Sequence, residues 1–268
     1  MSLACTVFGS SSNKTPKEFL DASYELGVAL AKQKILCVTG GGSYGCMSAV
    51  QNGCKDNNGM VLYVIHQKFV DGGDVDLMAK GVRKVIVAKG DDLSERKRLL
   101  IDNGDALIVL PGGCGTFDEF WDCVSHKGLS MKGLKNKPIV VMNFDGYYNG
   151  FIEQLHRASK ECLLYHTPDK YFHVSTDPLE AIEYIREYRS QVKSAGVEDM
   201  GKARIGKVEF EDKLPTNGMN NTDNEEKKGV TTTSFDKLFS SFMIGVLVGG
   251  FIVTAQGMYN SRRVRIQY

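Results

Sequence analysis

Short apolar runs recur through the first 190 residues, at 3–8, 34–39, 60–65, 82–87, 106–110, 137–142 and 170–175. They are continuous rather than alternating, the pattern of strands whose two faces are both buried. Stretches of helical periodicity lie between most of them. One opens at Thr15-Pro16-Lys17-Glu18, which predicts a capping box with proline in the first turn. Strands that alternate with helices predict an α/β domain over residues 1–190: a Rossmann-like, doubly wound parallel sheet with helices on both faces. In such sheets ligands bind beyond the carboxyl ends of the strands, in the loops that lead into helices.

The pattern changes after residue 190. Residues 191–237 are polar, with GMNNTDNEEKKGVTTTS at 218–234, and carry too little apolar surface to offset the entropy of ordering. A flexible linker is expected there. Residues 238–261 contain no charge and lie between Lys237 and Arg262. About 20 such residues span a bilayer core as a helix, so a C-terminal transmembrane helix is expected in addition to the α/β domain. Ser240, Ser241, Thr254 and Gln256 dilute its apolar character, and Gly245 and Gly249 form a GxxxG pair that suits a helix–helix contact. With no signal-like segment at the N-terminus, this arrangement reads as a tail anchor. It leaves a cytosolic domain on an intracellular membrane: mitochondrial outer membrane, peroxisome or endoplasmic reticulum.

Composition narrows the chemistry. The formal net charge is +1, with 42% hydrophobic and 24% charged residues. There is no basic stripe of the kind a nucleic-acid partner requires. Of the seven cysteines, no two are spaced as CxxC, and no histidine pair completes a zinc pattern. Reduced thiols are expected, and neither a metal nor a cofactor.

Four strand-end loops carry candidate chemistry. Gly9-Ser10-Ser11-Ser12 either binds an anion or makes a turn. Gly40, Gly42 and Gly45 form GxGxxG around Gly41 and Ser43. A dinucleotide site would also need a carboxylate about 20 residues on, where this chain has Val64-Ile65-His66-Gln67. The glycine loop therefore points to some other phosphate-bearing ligand. The third loop leads into Glu95-Arg96-Lys97-Arg98, three cations where a helix dipole prefers anions: either a solvated face or contacts to a phosphate or leaving group. The fourth, Leu110-Pro111-Gly112-Gly113-Cys114-Gly115-Thr116-Phe117-Asp118-Glu119, has the glycines of a phosphate cradle followed at once by two carboxylates. Thr116 and Glu119 also fit a capping box, so residue chemistry alone leaves Glu119 open between cap and catalyst.

Two of these stretches together carry a resemblance. PGGCGTFDE fits PGGxGTxxE, and GGGSYGCM fits GGGSxGxM. The chain thereby resembles the Lonely Guy family of cytokinin-activating phosphoribohydrolases, whose members are often mislabelled lysine decarboxylases. Arg96-Lys97, Lys137-Pro138 and Asn143-Phe144-Asp145-Gly146-Tyr147-Tyr148-Asn149 agree with it, and the likeness covers roughly residues 4–188. The resemblance implies hydrolysis of the N-glycosidic bond of adenine or N6-substituted adenine nucleoside 5′-monophosphates, giving free base and ribose 5-phosphate, in a homodimer. It implies Arg96 and Glu119 as the catalytic pair. It further implies substrate contacts from Lys97, Gly113, Cys114, Gly115, Thr116, Phe117, Asp118 and Ser125, with Ser10, Gly41, Gly42 and Ser43 beside them. Arg96 is left open between orienting the nucleotide and stabilising the departing base. Leu93 and Ser94 stand where the family commonly has Met-His, His66 where it has Pro, and Ser125 where it usually has Thr. The alternative is a non-catalytic sensor or carrier of the same fold, as in molybdenum-cofactor carrier proteins, which needs the glycines but not the Arg–Glu pair. A pyridoxal-phosphate decarboxylase finds no motif for its lysine here.

Overall fold

A computed structural model describes residues 3–73, 81–131 and 133–196. Each apolar run forms a strand: β1 (Ala4–Phe8), β2 (Leu36–Thr39), β3 (Val61–His66), β4 (Val82–Ala88), β5 (Ala106–Val109), β6 (Ile139–Met142) and β7 (His173–Ser175). They build one seven-stranded sheet in the order β4-β3-β2-β1-β5-β6-β7, and every pairing is parallel. β1, β3, β5 and β6 are buried at every position, which explains why their sequences do not alternate. The order turns back at β1, between β2 and β5. That topological switch is where an open α/β sheet leaves a crevice for a ligand.

The helices are α1 (Lys17–Lys32), α2 (Gly45–Asp56), α3 (Gln67–Asp71), α4 (Ser94–Asn103), α5 (Cys114–Gly128), α6 (Asn149–Lys160) and α7 (Pro178–Ser194). The two buried clusters, one around Phe8, Val64, Leu100 and Phe120 and the other around Leu26, Leu30, Val50 and Ile108, fit helices packed on the two faces of one sheet. α1 and α2 meet backbone to backbone. A Cβ on Gly27 would lie 2.2 Å from the Val50 carbonyl oxygen, and one on Gly53 2.1 Å from that of Tyr24. Alanine at Gly53 raises helix propensity by up to about 1 kcal/mol, yet it forces two backbones apart. Gly53→Ala is expected to destabilise the protein by roughly 1–3 kcal/mol net, read as a lower urea midpoint at unchanged m-value.

Two local expectations are corrected. α1 starts at Lys17 behind Pro16, with no side-chain cap. Thr15 instead donates its hydroxyl to the Ser12 carbonyl and pairs with the Ser10 hydroxyl at 2.8 Å. The five-residue α3, absent from the sequence expectation, begins directly at the end of β3, capped by His66.

The expected C-terminal transmembrane helix is also a correction. No helix among the described residues is long and apolar enough to cross a membrane. The longest, α7, has 17 residues, about 26 Å at 1.5 Å per residue, and is studded with Glu, Arg and Lys. Residues 238–261, on which the expectation rested, lie outside the described residues, and their hydroxyl and amide side chains weaken the sequence signal itself. Among the described residues the fold class is the parallel α/β sheet with its helices.

Candidate active site

The carboxyl ends of β1 to β5 open onto one cleft of about 560 Å³, within the range of small-molecule sites. Its lining divides chemically. One part consists of Gly9, Ser10, Ser12, Gly42, Ser43 and the first turn of α5 from Gly113 to Thr116. Another is apolar: Ile65, Phe69 and Leu93. Arg96, Lys97, Asp118 and Glu119 line it too, as do Ser11, Gly40, Tyr44 and Met47.

The apparent conflict between the glycine cradle and its carboxylates resolves in the helix register. α5 starts at Cys114 behind Gly113, so Thr116 is its third residue rather than its cap, and the Thr116–Glu119 capping box does not form. Thr116 is buried, with its hydroxyl folded back over Gly112 so closely that a Cβ there would lie 2.2 Å away. The first-turn amides of Cys114, Gly115 and Thr116 have no intrahelical partner, and the positive end of the helix dipole lies with them. Tyr147 donates its phenol hydroxyl to the Gly112 carbonyl, and Tyr148 donates to the Leu110 carbonyl at 2.8 Å. The DGYYN segment thus braces the cradle from outside.

Both carboxylates are neutralised by α4. Arg96 Nη1 donates to Glu119 Oε1 at 3.1 Å, and both side chains are about nine-tenths buried. Arg96 Nε donates to the Val64 carbonyl at 3.2 Å, so β3 fixes the guanidinium from the other side. Lys97 Nζ lies 3.0 Å from Asp118 Oδ2. Two adjacent cations of α4 therefore meet two adjacent anions of α5, and an incoming phosphate meets amides and a dipole rather than net negative charge. Glu95 accepts from the Lys89 amide at 2.8 Å, which further explains how a cationic first turn is tolerated.

Gly40 has a part that the sequence did not show. A Cβ at that position would lie 1.8 Å from Arg96 Nη2. The glycine-rich loop makes room for the guanidinium itself.

Burial pushes the Glu119 carboxyl above the usual carboxylate range; Arg96 pulls the other way without cancelling it. For Lys97, partial burial opposes the charge, but Asp118, with Asp122 and Glu119, outweighs it and holds the ammonium above its usual value.

Of the residues singled out from the sequence, the cleft brings together Arg96, Glu119, Lys97, Gly113, Cys114, Gly115, Thr116, Asp118, Ser10, Gly42 and Ser43. Three lie elsewhere. Gly41, at φ +76°, backs onto the Tyr63 ring. Phe117 packs against Phe151 and Tyr148 in the core. Ser125 is exposed, roughly 13 Å further along the helix axis than Thr116 at 1.5 Å per residue. Sequence reasoning marked Leu93 only as a departure from the family pattern, and missed Ile65 and Phe69 as lining residues. Ile65 reads as one more strand residue, and Phe69 belongs to a helix too short to leave a periodic signal.

A parallel α/β sheet with an anion cradle at its switch point and a buried Arg–carboxylate pair beside it defines a protein that binds, and is equipped to act on, a phosphorylated small molecule. Comparison with known proteins gives the family. The family model described as "Possible lysine decarboxylase" matches residues 47–185. A probable cytokinin riboside 5′-monophosphate phosphoribohydrolase of Oryza sativa subsp. japonica is 32% identical over 189 residues, 69% of this chain and 72% of that protein. A cytokinin riboside 5′-monophosphate phosphoribohydrolase of Arabidopsis thaliana is 29% identical over 69% of this chain and 81% of its own length. The chain belongs to this family, the Lonely Guy family of the sequence resemblance. Among solved structures, the molybdenum cofactor carrier protein of Chlamydomonas reinhardtii aligns with TM-score 0.53 at 21% identity, over 71% of this chain and 99% of that one. At that identity the likeness is one of fold.

Neither Lys97 nor Lys127 suits the chemistry in the family model's description. An amine that forms a Schiff base is activated by a lowered pKa. Lys97, in the cleft, is held charged by Asp118. Burial lowers Lys127 to about 8, but its ammonium donates to the Lys137 and Lys135 carbonyls and to the Tyr188 hydroxyl, at 2.8, 3.3 and 3.1 Å. It also lines a different cavity, beside β7 and α7.

Proposed function

We propose that this protein hydrolyses the N-glycosidic bond of purine nucleoside 5′-monophosphates, with adenine or an N6-substituted adenine as the base, and releases free base and ribose 5-phosphate. One observation carries the reading: the buried Arg96–Glu119 pair lies in the same cleft as the open first-turn amides of α5. Binding alone would use the amides. It has no need of a carboxylate nine-tenths buried.

The 5′-phosphate sits on the amides of Cys114, Gly115 and Thr116. Cleavage of the C1′–N bond leaves cationic charge on the ribose, as in glycoside hydrolysis. Glu119, on the second turn of α5, stabilises that charge and takes a proton from the attacking water. The hydroxyl goes to C1′, and the proton returns to the departing base or to solvent. A carboxyl with a raised pKa suits a group that must both accept and release a proton. Arg96 remains charged throughout. Its two anchors, Val64 and Glu119, support a role in orienting the carboxylate. The family relationship supports the same reaction class, since the compared plant relatives are named as phosphoribohydrolases.

The direct test is to incubate the protein with AMP and to separate the products. Adenine and ribose 5-phosphate in equal amounts are expected. Free phosphate, or no free base from AMP and its N6-substituted analogue alike, overturns the reading. A pH profile adds a second check. The working form of Glu119 is ionised and its pKa is raised, so the acid limb of kcat/KM should lie above the ordinary glutamate value of about 4.3. Arg96→Met removes the influence that lowers this pKa, so the limb of its residual activity should move to higher pH. A limb that stays at the ordinary value, or one that moves down, contradicts the assignment.

A further inference from the structure

Three consecutive residues of β3 serve the cleft in different ways. The Val64 carbonyl anchors Arg96, and Ile65 lines the wall. His66, buried at 6% exposure, is not part of the lining but holds the pieces that are. Its Nδ1 accepts from the Lys68 amide at 3.2 Å, which caps α3, the helix that carries Phe69. The proton therefore sits on Nε2, which donates to the Gly90 carbonyl at 3.1 Å, in the loop that leads to Leu93. The imidazole also meets the Phe69 ring edge to face, at 6.4 Å between centroids. One side chain thus bonds to both segments that carry the cleft's apolar residues Phe69 and Leu93, at the point where the β3–β4 pairing ends with His66 opposite Ala88.

We propose that His66 is a positioning residue for the base half of the substrate. It fixes Phe69 and Leu93 as a single wall against which the purine packs, while the phosphate half is held by α5 independently of it. The inference rests on the reading of the cleft as a nucleotide site, with the phosphate at the amides and the base at the apolar end.

The test compares AMP with ribose 5-phosphate, which lacks the base. His66→Ala loses both hydrogen bonds, and KM for AMP is expected to rise about tenfold, with kcat within about twofold and inhibition by ribose 5-phosphate unchanged. His66→Gln has an amide long enough to reach the Gly90 carbonyl and should recover most of the loss. His66→Asn, a good helix cap but too short for Gly90, should recover less. If His66→Ala does not fold, the Gln and Asn variants carry the comparison. An unchanged KM for AMP overturns the proposal. So does equal weakening of AMP and ribose 5-phosphate, which marks a merely structural residue. Calorimetric binding of the two ligands to the same variants answers the question even if the parent protein releases no base. Such a result would end the proposed activity without touching the role of His66.

Discussion

Glu119→Gln is expected to bind AMP within a few-fold of the parent and to release adenine about 10²–10⁴ times more slowly. Glutamine keeps the shape of the side chain and can still accept from Arg96, so the cleft is preserved while the charge is lost. Stability separates this outcome from that of a structural carboxylate. Burial raises the Glu119 pKa, so the native state holds its proton more tightly than the unfolded chain does. As pH rises from the ordinary glutamate range through the native pKa, the ionised group costs the fold stability. Glutamine removes that cost. At neutral pH the variant should be as stable as the parent or more so, and the advantage should vanish below about pH 4. Urea denaturation at the two pH values reads this directly. Adenine release at the parent rate would reduce Glu119 to a structural partner of Arg96. Lower stability at neutral pH would mean that the ion pair is retained for the fold.

Much of this arrangement was legible along the chain, for a physical reason. Strands buried on both faces leave continuous apolar runs, so 60–65 and 106–110 mark β3 and β5 almost to the residue. Glycines and small polar residues then point to the ends where ligands bind. The errors share a cause. Capping patterns are satisfied by spacing alone, and both Thr15–Glu18 and Thr116–Glu119 have that spacing without the geometry. Helix α5 begins two residues before Thr116 because Gly113 supplies the extended backbone that the entry requires. This shift turns Glu119 from a cap into a buried partner of a residue 23 positions away, a relation that no local pattern encodes. The apolar lining was hidden for a related reason. His66 bonds to the helix that carries Phe69 and to the loop before Leu93, yet the sequence shows it as an isolated histidine at a strand end.

Gly40→Ala is the substitution that most sharply divides the structural from the sequence account of the glycine loop. From the sequence, the loop exists to bring backbone close to a phosphate. Alanine should then weaken every phosphate-bearing ligand, whatever stands at position 96. In the structure, the added methyl would lie 1.8 Å from Arg96 Nη2 and 3.0 Å from its Cζ. A flexible arginine tip normally yields to such a clash at little cost, but this one is pinned by Val64 and Glu119, so it yields only by leaving Glu119. Gly40→Ala should therefore lower kcat/KM by about 10²-fold, comparable to the loss of a preorganised electrostatic contact, while binding of ribose 5-phosphate changes little. Arg96→Ala alone should cost at least as much. The decisive measurement is the double variant, because residues that act through one contact are strongly non-additive. Once Arg96 is truncated the methyl still meets Met47 Sδ at 3.3 Å, a flexible side chain that can give way, and Gly40→Ala should cost less than about twofold further in that background. If the two losses instead multiply, Gly40 acts on the ligand directly, and the guanidinium is not what the glycine accommodates.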